Sequence, residues 1–163
     1  NLTDRRALLQ TAVNGLPRSA FTGRLLAEFY DRWQSEALVV NQWFALQASG
    51  VACDIERLKG LVAHRAFELT NPNKVRSVLT VFAGTNQRNF HASDGSGYRY
   101  IAERILELNG INPQMAAALA KPLTRWRRYA GERSSLMRGA LMDIAGGEGL
   151  STDVYEVVTK SLA

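Results

Sequence analysis

Residues 71–114, NPNKVRSVLTVFAGTNQRNFHASDGSGYRYIAERILELNGINPQ, contain two helix starts of one design and, between them, the longest irregular stretch of the chain. Asn71 and Asn112 each precede a proline. An asparagine side chain can accept the free N–H groups of a first helical turn, and a proline at the next position loses nothing there, because its missing N–H would have no partner. Gly84-Thr85-Asn86 stops the first helix, and His91–Gly97 reads as a polar, glycine-rich loop. Between the cap and the stop, Val75, Val78, Leu79 and Phe82 fall at i, i+3, i+4 and i+7, the spacing of one buried helical face.

The same reading extends in both directions. Upstream, Thr3 is expected to cap a helix to about Val13, and Asn14-Gly15-Leu16-Pro17 ends it. Helices follow from about Phe21 to Gln34 (Leu25, Leu26, Phe29, Tyr30 and Trp33 inward) and from Glu36 to Ala48 (Val39, Val40, Trp43, Phe44 and Gln47). Asp54 caps another, with Ile55, Leu58, Leu61 and Val62 inward. Downstream, a helix from about Tyr98 to Leu108 buries Ile101, Ile105 and Leu108. The next starts at Pro113 and buries Met115, Leu119, Leu123 and Trp126, and Pro122 should bend it. Arg133 to Ile144 forms an eighth, and Ser151 or Asp153 caps a last one. No stretch alternates with period two between hairpin turns. The expected fold is all-α, an α-solenoid of about nine short paired helices forming a single domain over residues 1–163. The 41-residue spacing of the two Asn-Pro pairs suits HEAT or armadillo units. The three tryptophans read as core.

At 163 residues and 46% hydrophobic content the chain is long enough to bury a core. No apolar run reaches membrane-spanning length and no charged-then-apolar leader opens it. Because it starts at Asn1, we expect it to be processed or part of something longer. The single Cys53 suits a reducing compartment and reads as structural. Net charge is +5, and the excess is local. Lys121, Arg125, Arg127, Arg128, Arg133 and Arg138 face one acid, Glu132, within that segment. A solvated helix face is the plain reading; an alternative is a free-standing helical module that binds nucleic acid or an acidic protein through residues 121–138.

Catalytic inventory is poor. Two histidines, His64 and His91, and one cysteine cannot make a three- or four-ligand His/Cys zinc site. There is no His-Glu-x-x-His, no phosphate-binding glycine loop and no nucleophile elbow. Asp94–Gly97 matches only the start of a calcium loop. His64 reads as a surface residue on the polar side of its helix. His91 and Asp94 are a conceivable acid/base pair, with a loop-bracing hydrogen bond as the simpler reading. The chain by itself does not read as an enzyme.

Taken together, Val40–Ala48 (VNQWFALQA), Asn71–Ser77 (NPNKVRS), Val81–Asn86 (VFAGTN), Phe90–Tyr98 (FHASDGSGY) and Asn112–Gln114 resemble the C-terminal helical domain of bacterial aminopeptidases of the zinc-dependent M1 family. The resemblance runs from near Asn1 to the closing Thr159–Ala163. It implies a superhelix of paired helices that covers the active-site cavity and limits peptide access. Catalytic residues and metal ligands would be absent from this chain, and the zinc would sit in an earlier domain. The implied partners are the catalytic and other N-terminal domains of the same polypeptide and peptide substrates met from the cavity side, with no membrane, nucleic acid unexpected, and a cytoplasmic setting. Two positions carry over by motif as substrate-channel residues, Arg76 and Gln114. Ala118 stands where a relative has a second arginine, and Lys121, Arg125 and Arg128 continue that face as a replacement for its charge.

Overall fold

The computed structural model describes all 163 residues, which form helices without any strand. The chain divides into two compact units, Asn1–Asn86 and Gln87–Ala163.

The first unit is built around one helix. α1 (Leu2–Gly15), α2 (Ala20–Trp33), α3 (Ala37–Ala48) and α4 (Ile55–Val62) precede α5, residues 72–85. α3 is apolar almost all round, ALVVNQWFALQA, as a helix must be when neighbours cover most of its faces. It packs against α1, α2, α4 and α5. Val40, Trp43, Phe44, Leu46 and Ala48 are buried on it, and Phe44 is fully enclosed. Truncating such a phenylalanine to alanine costs about 3–5 kcal/mol. The four stripe residues of α5, Val75, Val78, Leu79 and Phe82, are all at 0% exposure, as their spacing requires.

The cap of α1 differs from expectation. Asn1, not Thr3, accepts the Asp4 N–H at 2.9 Å. α5 also departs from a regular helix. It opens as Pro72–Val75, passes through a π-helical turn at Arg76–Thr80 and closes as α-helix over Val81–Thr85. Within the turn the Val81 N–H reaches back to the carbonyl of Arg76, five residues earlier.

In the second unit, α6 (Gln87–Phe90) leads into α7 (Ser96–Asn109), α8 (Pro113–Ala120), the 3₁₀ helix Leu123–Arg128, α9 (Gly131–Ala145) and α10 (Thr152–Leu162). α7 packs on α8 and α9, α10 packs on α8 and α9, and the 3₁₀ helix lies along α9. Ile101, Ile105 and Leu108 of α7 and Met137, Leu141 and Ile144 of α9 are buried between these elements. The stretch from Gly84 to Gly97 is not irregular throughout, since Gln87–Phe90 makes one helical turn. Pro122 does not bend a continuing helix: α8 stops at Ala120. The chain then tightens to i→i−3 bonds, Thr124 N–H to Lys121 C=O at 3.1 Å and Arg125 N–H to Pro122 C=O at 3.4 Å. Trp126, on that tighter helix, is half-buried, while Leu123 is enclosed.

Candidate functional site

The two Asn-Pro starts fold as their residues dictate, one in each unit. In the first, Asn71 Oδ1 accepts the N–H groups of Asn73 (3.0 Å) and Lys74 (3.3 Å), and Pro72 occupies the first turn. Ser77 Oγ donates to the Asn73 carbonyl. Arg76 projects to solvent, with Nη1 donating to Asn73 Oδ1 at 3.2 Å. Its guanidinium has no carboxylate partner within 4.0 Å, so most of its donors are open to a ligand. In the second unit Asn112 Oδ1 accepts the Met115 N–H at 3.1 Å. Gln114 is exposed in the first turn that this cap stabilises. Ala118 and Lys121 are exposed too and follow Gln114 at i+4 and i+7, on the solvent face opposite buried Met115, Ala116 and Leu119.

Lys74, beside Arg76 in the motif, points the other way. It is 8% exposed, its Nζ donates to Asn41 Oδ1 at 2.5 Å, and it lies 6.0 Å from the centre of the Phe44 ring. Desolvation by burial lowers its pKa from the ordinary lysine value, and the Glu68 charge only partly opposes it. The signal for it in the sequence is spacing, since Lys74 stands four residues before buried Val78 and so on the inner face of α5.

His64 is not a surface residue. Its ring is ringed by Tyr30, Trp43 and Phe44, with centroids 4.7, 5.1 and 5.5 Å away. Nδ1 accepts the Ala66 N–H at 3.1 Å. Desolvation, and then the neighbouring Arg65, lower its pKa. Helix α4 ends at Val62, so His64 lies in the turn beyond it, and the polar side of that helix says nothing about where the ring goes.

His91 and Asp94 do not pair. Asp94 accepts the Ser96 N–H at 2.9 Å, and that hydrogen bonding holds its carboxyl below the usual range. His91 instead bridges two phenols, with Nδ1 2.6 Å from the Tyr98 hydroxyl and Nε2 3.1 Å from that of Tyr129. Desolvation, followed by the Arg133 charge, lowers the histidine pKa, and burial pushes Tyr98 up to about 12. Both residues therefore brace the loop, through different partners. A 250 Å³ hollow lined by Ser93, Tyr98, Glu132 and Arg133 lies beside them.

Cys53 is buried in the turn before α4, and its thiol is pushed up to about 12, first by desolvation and then by Asp54. It is a structural thiol, and the nearby Arg57 charge offsets only part of the burial that keeps it protonated. No three His, Cys, Asp or Glu side chains come together in a group that could hold a metal ion. No helix is long and apolar enough to cross a membrane.

The family described as "Domain of unknown function (DUF3458_C) ARM repeats" matches residues 1–163. Aminopeptidase N of Escherichia coli (strain K12) is 45% identical over 166 residues, covering 100% of this chain and 19% of that protein. The aminopeptidase N of Haemophilus influenzae is 39% identical, with 99% of this chain and 18% of that protein covered. The chain thus spans about a fifth of the curated relatives it matches. A crystal structure of Legionella pneumophila aminopeptidase A in complex with aspartic acid superposes with a TM-score of 0.92 at 34% identity, over 99% of this chain and 19% of that one. The helical units have the ARM-repeat, α-solenoid class of fold, and the chain belongs to the DUF3458_C family, matching the C-terminal helical part of bacterial aminopeptidase N.

Proposed function

We propose that residues 1–163 act as the C-terminal domain of a zinc-dependent M1 aminopeptidase, covering the active-site cavity and controlling which peptides enter, without taking part in bond cleavage. The observation that carries this reading is the match to aminopeptidase N along the whole chain, at 45% identity, over only 19% of the relative's length. A domain of that kind needs partners in the same polypeptide, and the zinc would be held by residues outside this chain. The setting would be cytoplasmic.

Arg76 and Gln114 are the proposed channel residues. An exposed guanidinium with open donors can grip a peptide carboxylate through two parallel hydrogen bonds. A glutamine in a first helical turn adds a donor and an acceptor where backbone N–H groups already favour an anion. Ala118, on the same exposed face as Gln114, contributes no charge, so Lys121 is the nearest cation along that face.

Two measurements test the reading. The chain alone, with added zinc, should not hydrolyse an alanine arylamide, and activity should return when it is mixed with the separately made N-terminal portion. Metal-dependent activity of the chain alone would overturn the proposal. In the full-length enzyme, Arg76→Ala should raise KM for longer peptides more than for amino-acid arylamides; equal effects would remove Arg76 from the channel.

A further inference from the structure

The segment from Lys121 to Arg138 carries six cations, and none has a carboxylate within 4.0 Å. Their internal partners are few. Arg127 donates to the Ser161 carbonyl at 2.6 Å and lies 4.3 Å from the centre of the Trp126 ring; Arg138 lies over the same ring at 5.8 Å. Arg133 faces Tyr98 and His91. Lys121, Arg125 and Arg128 are exposed with no such anchor. Backbone geometry sets their spacing. In a 3₁₀ helix residues three apart eclipse one another, so Arg125 and Arg128 stand on one edge, separated by about 6 Å of rise. Like charges held this close repel each other until an anion is placed between or across them.

That spacing selects a ligand shape. An extended polypeptide presents every second side chain on one face at about 6.5–7 Å, so carboxylates at i and i+2 of an extended strand meet Arg125 and Arg128 in register. The aromatic residues of the segment argue against nucleic acid. A base needs an open ring face to stack on. Two guanidiniums lie over Trp126, and its Nε1 is tied to Ser161, 3.2 Å from Oγ. Tyr129 lies against His91, with ring centroids 4.7 Å apart. What remains available is guanidinium and ammonium N–H.

We propose that Lys121, Arg125 and Arg128 form a docking surface for an extended acidic polypeptide segment with carboxylates at alternate positions. The test is fluorescence anisotropy of the chain with a labelled alternating Glu-Ser peptide of about twelve residues, beside an oligothymidylate of the same length and an alternating Lys-Ser peptide. The acidic peptide should bind saturably at about 25 mM salt and roughly tenfold more weakly at about 200 mM. Arg125→Glu with Arg128→Glu should weaken it by about tenfold or more, with unchanged circular dichroism. Arg125→Lys with Arg128→Lys, which keeps the charge, should retain part of the affinity, and Arg24→Glu, at an exposed cation of α2, should leave it intact. No saturable binding at low salt, an unaffected double-glutamate variant, or equally tight oligothymidylate binding would each overturn the proposal.

Discussion

The Tyr98 hydroxyl and His91 Nδ1 are 2.6 Å apart, and the opposite ring nitrogen faces Tyr129 at 3.1 Å. A neutral imidazole has one N–H and one lone pair, so it satisfies two hydroxyls only when one donates and the other accepts. Protonation turns both nitrogens into donors. The hydroxyl that donated then loses its acceptor, and a second positive charge appears near Arg133.

This arrangement sets a pH dependence. The folded-state pKa of His91 lies below its ordinary 6.5, mainly through desolvation, and His64 is shifted in the same direction. The unfolded chain therefore binds more protons in the window below 6.5. Stability from these groups is fully present above 6.5 and is lost as pH falls through the lower folded values. Urea denaturation at stepped pH should show a falling midpoint below about pH 6.5. The fall should be shallower in His91→Gln, and an identical profile in that variant would mean His91 does not contribute.

Asn86 is the second test. Its side chain is buried, and Nδ2 donates to the carbonyls of Ala48 and Gly50, each at 2.9 Å, and more weakly to Cys53 at 3.3 Å. One amide thus satisfies the end of α3 and the turn before α4. Asn86→Ala leaves buried carbonyls without their donor and should cost about 2–3 kcal/mol in chemical denaturation. Asn86→Asp should cost more, because it aims an anion at carbonyl oxygens.

Asn86 also marks where the sequence stops being legible. Caps and stripes are local: Asn71, Asn112, Asp54 and Ser151 each accept an N–H two or three residues on, and the α5 stripe follows from spacing alone. Asn86 reads locally as a helix stop, and its bonds to carbonyls more than thirty residues earlier follow only from the packing of α3 on α5. The same holds for the aromatic surround of His64 and for the phenols around His91. The π-turn after Pro72 leaves the apolar periodicity intact, so nothing in the pattern announces it. At the candidate site, the offset of Arg76 from the Val75/Val78/Leu79/Phe82 stripe identifies it as exposed.

Cys53 gives a chemical readout of packing. Its thiol is 4% exposed and pushed up to about 12, so little thiolate exists at ordinary pH and access is blocked. Alkylation by iodoacetamide at about pH 8 should be slow in the folded chain and complete in guanidinium chloride. Fast native alkylation would show that the turn before α4 opens.

Two glycines make the last prediction, and they should move stability in opposite directions. Gly97 lies in the first turn of α7 against the backbone of Phe90; an added Cβ would sit 2.8 Å from the Phe90 Cα and closer still to its carbonyl oxygen. These are backbone atoms at the junction of loop and helix, so no side-chain rotation relieves the clash. Gly97→Ala should destabilise by about 3 kcal/mol or more. Gly139, within α9, has nothing within 4 Å of its Cβ position and ordinary helical backbone. There the alanine only removes conformational freedom from the unfolded chain, so Gly139→Ala should stabilise by about 0.5–1 kcal/mol. Thermal melts of the two variants beside the parent chain measure both signs at once. If Gly97→Ala were neutral, the loop from His91 to Gly97 would have to yield, and the His91–Tyr98 bond would be lost with it, so the Gly97→Ala melt also tests how firmly that loop is held.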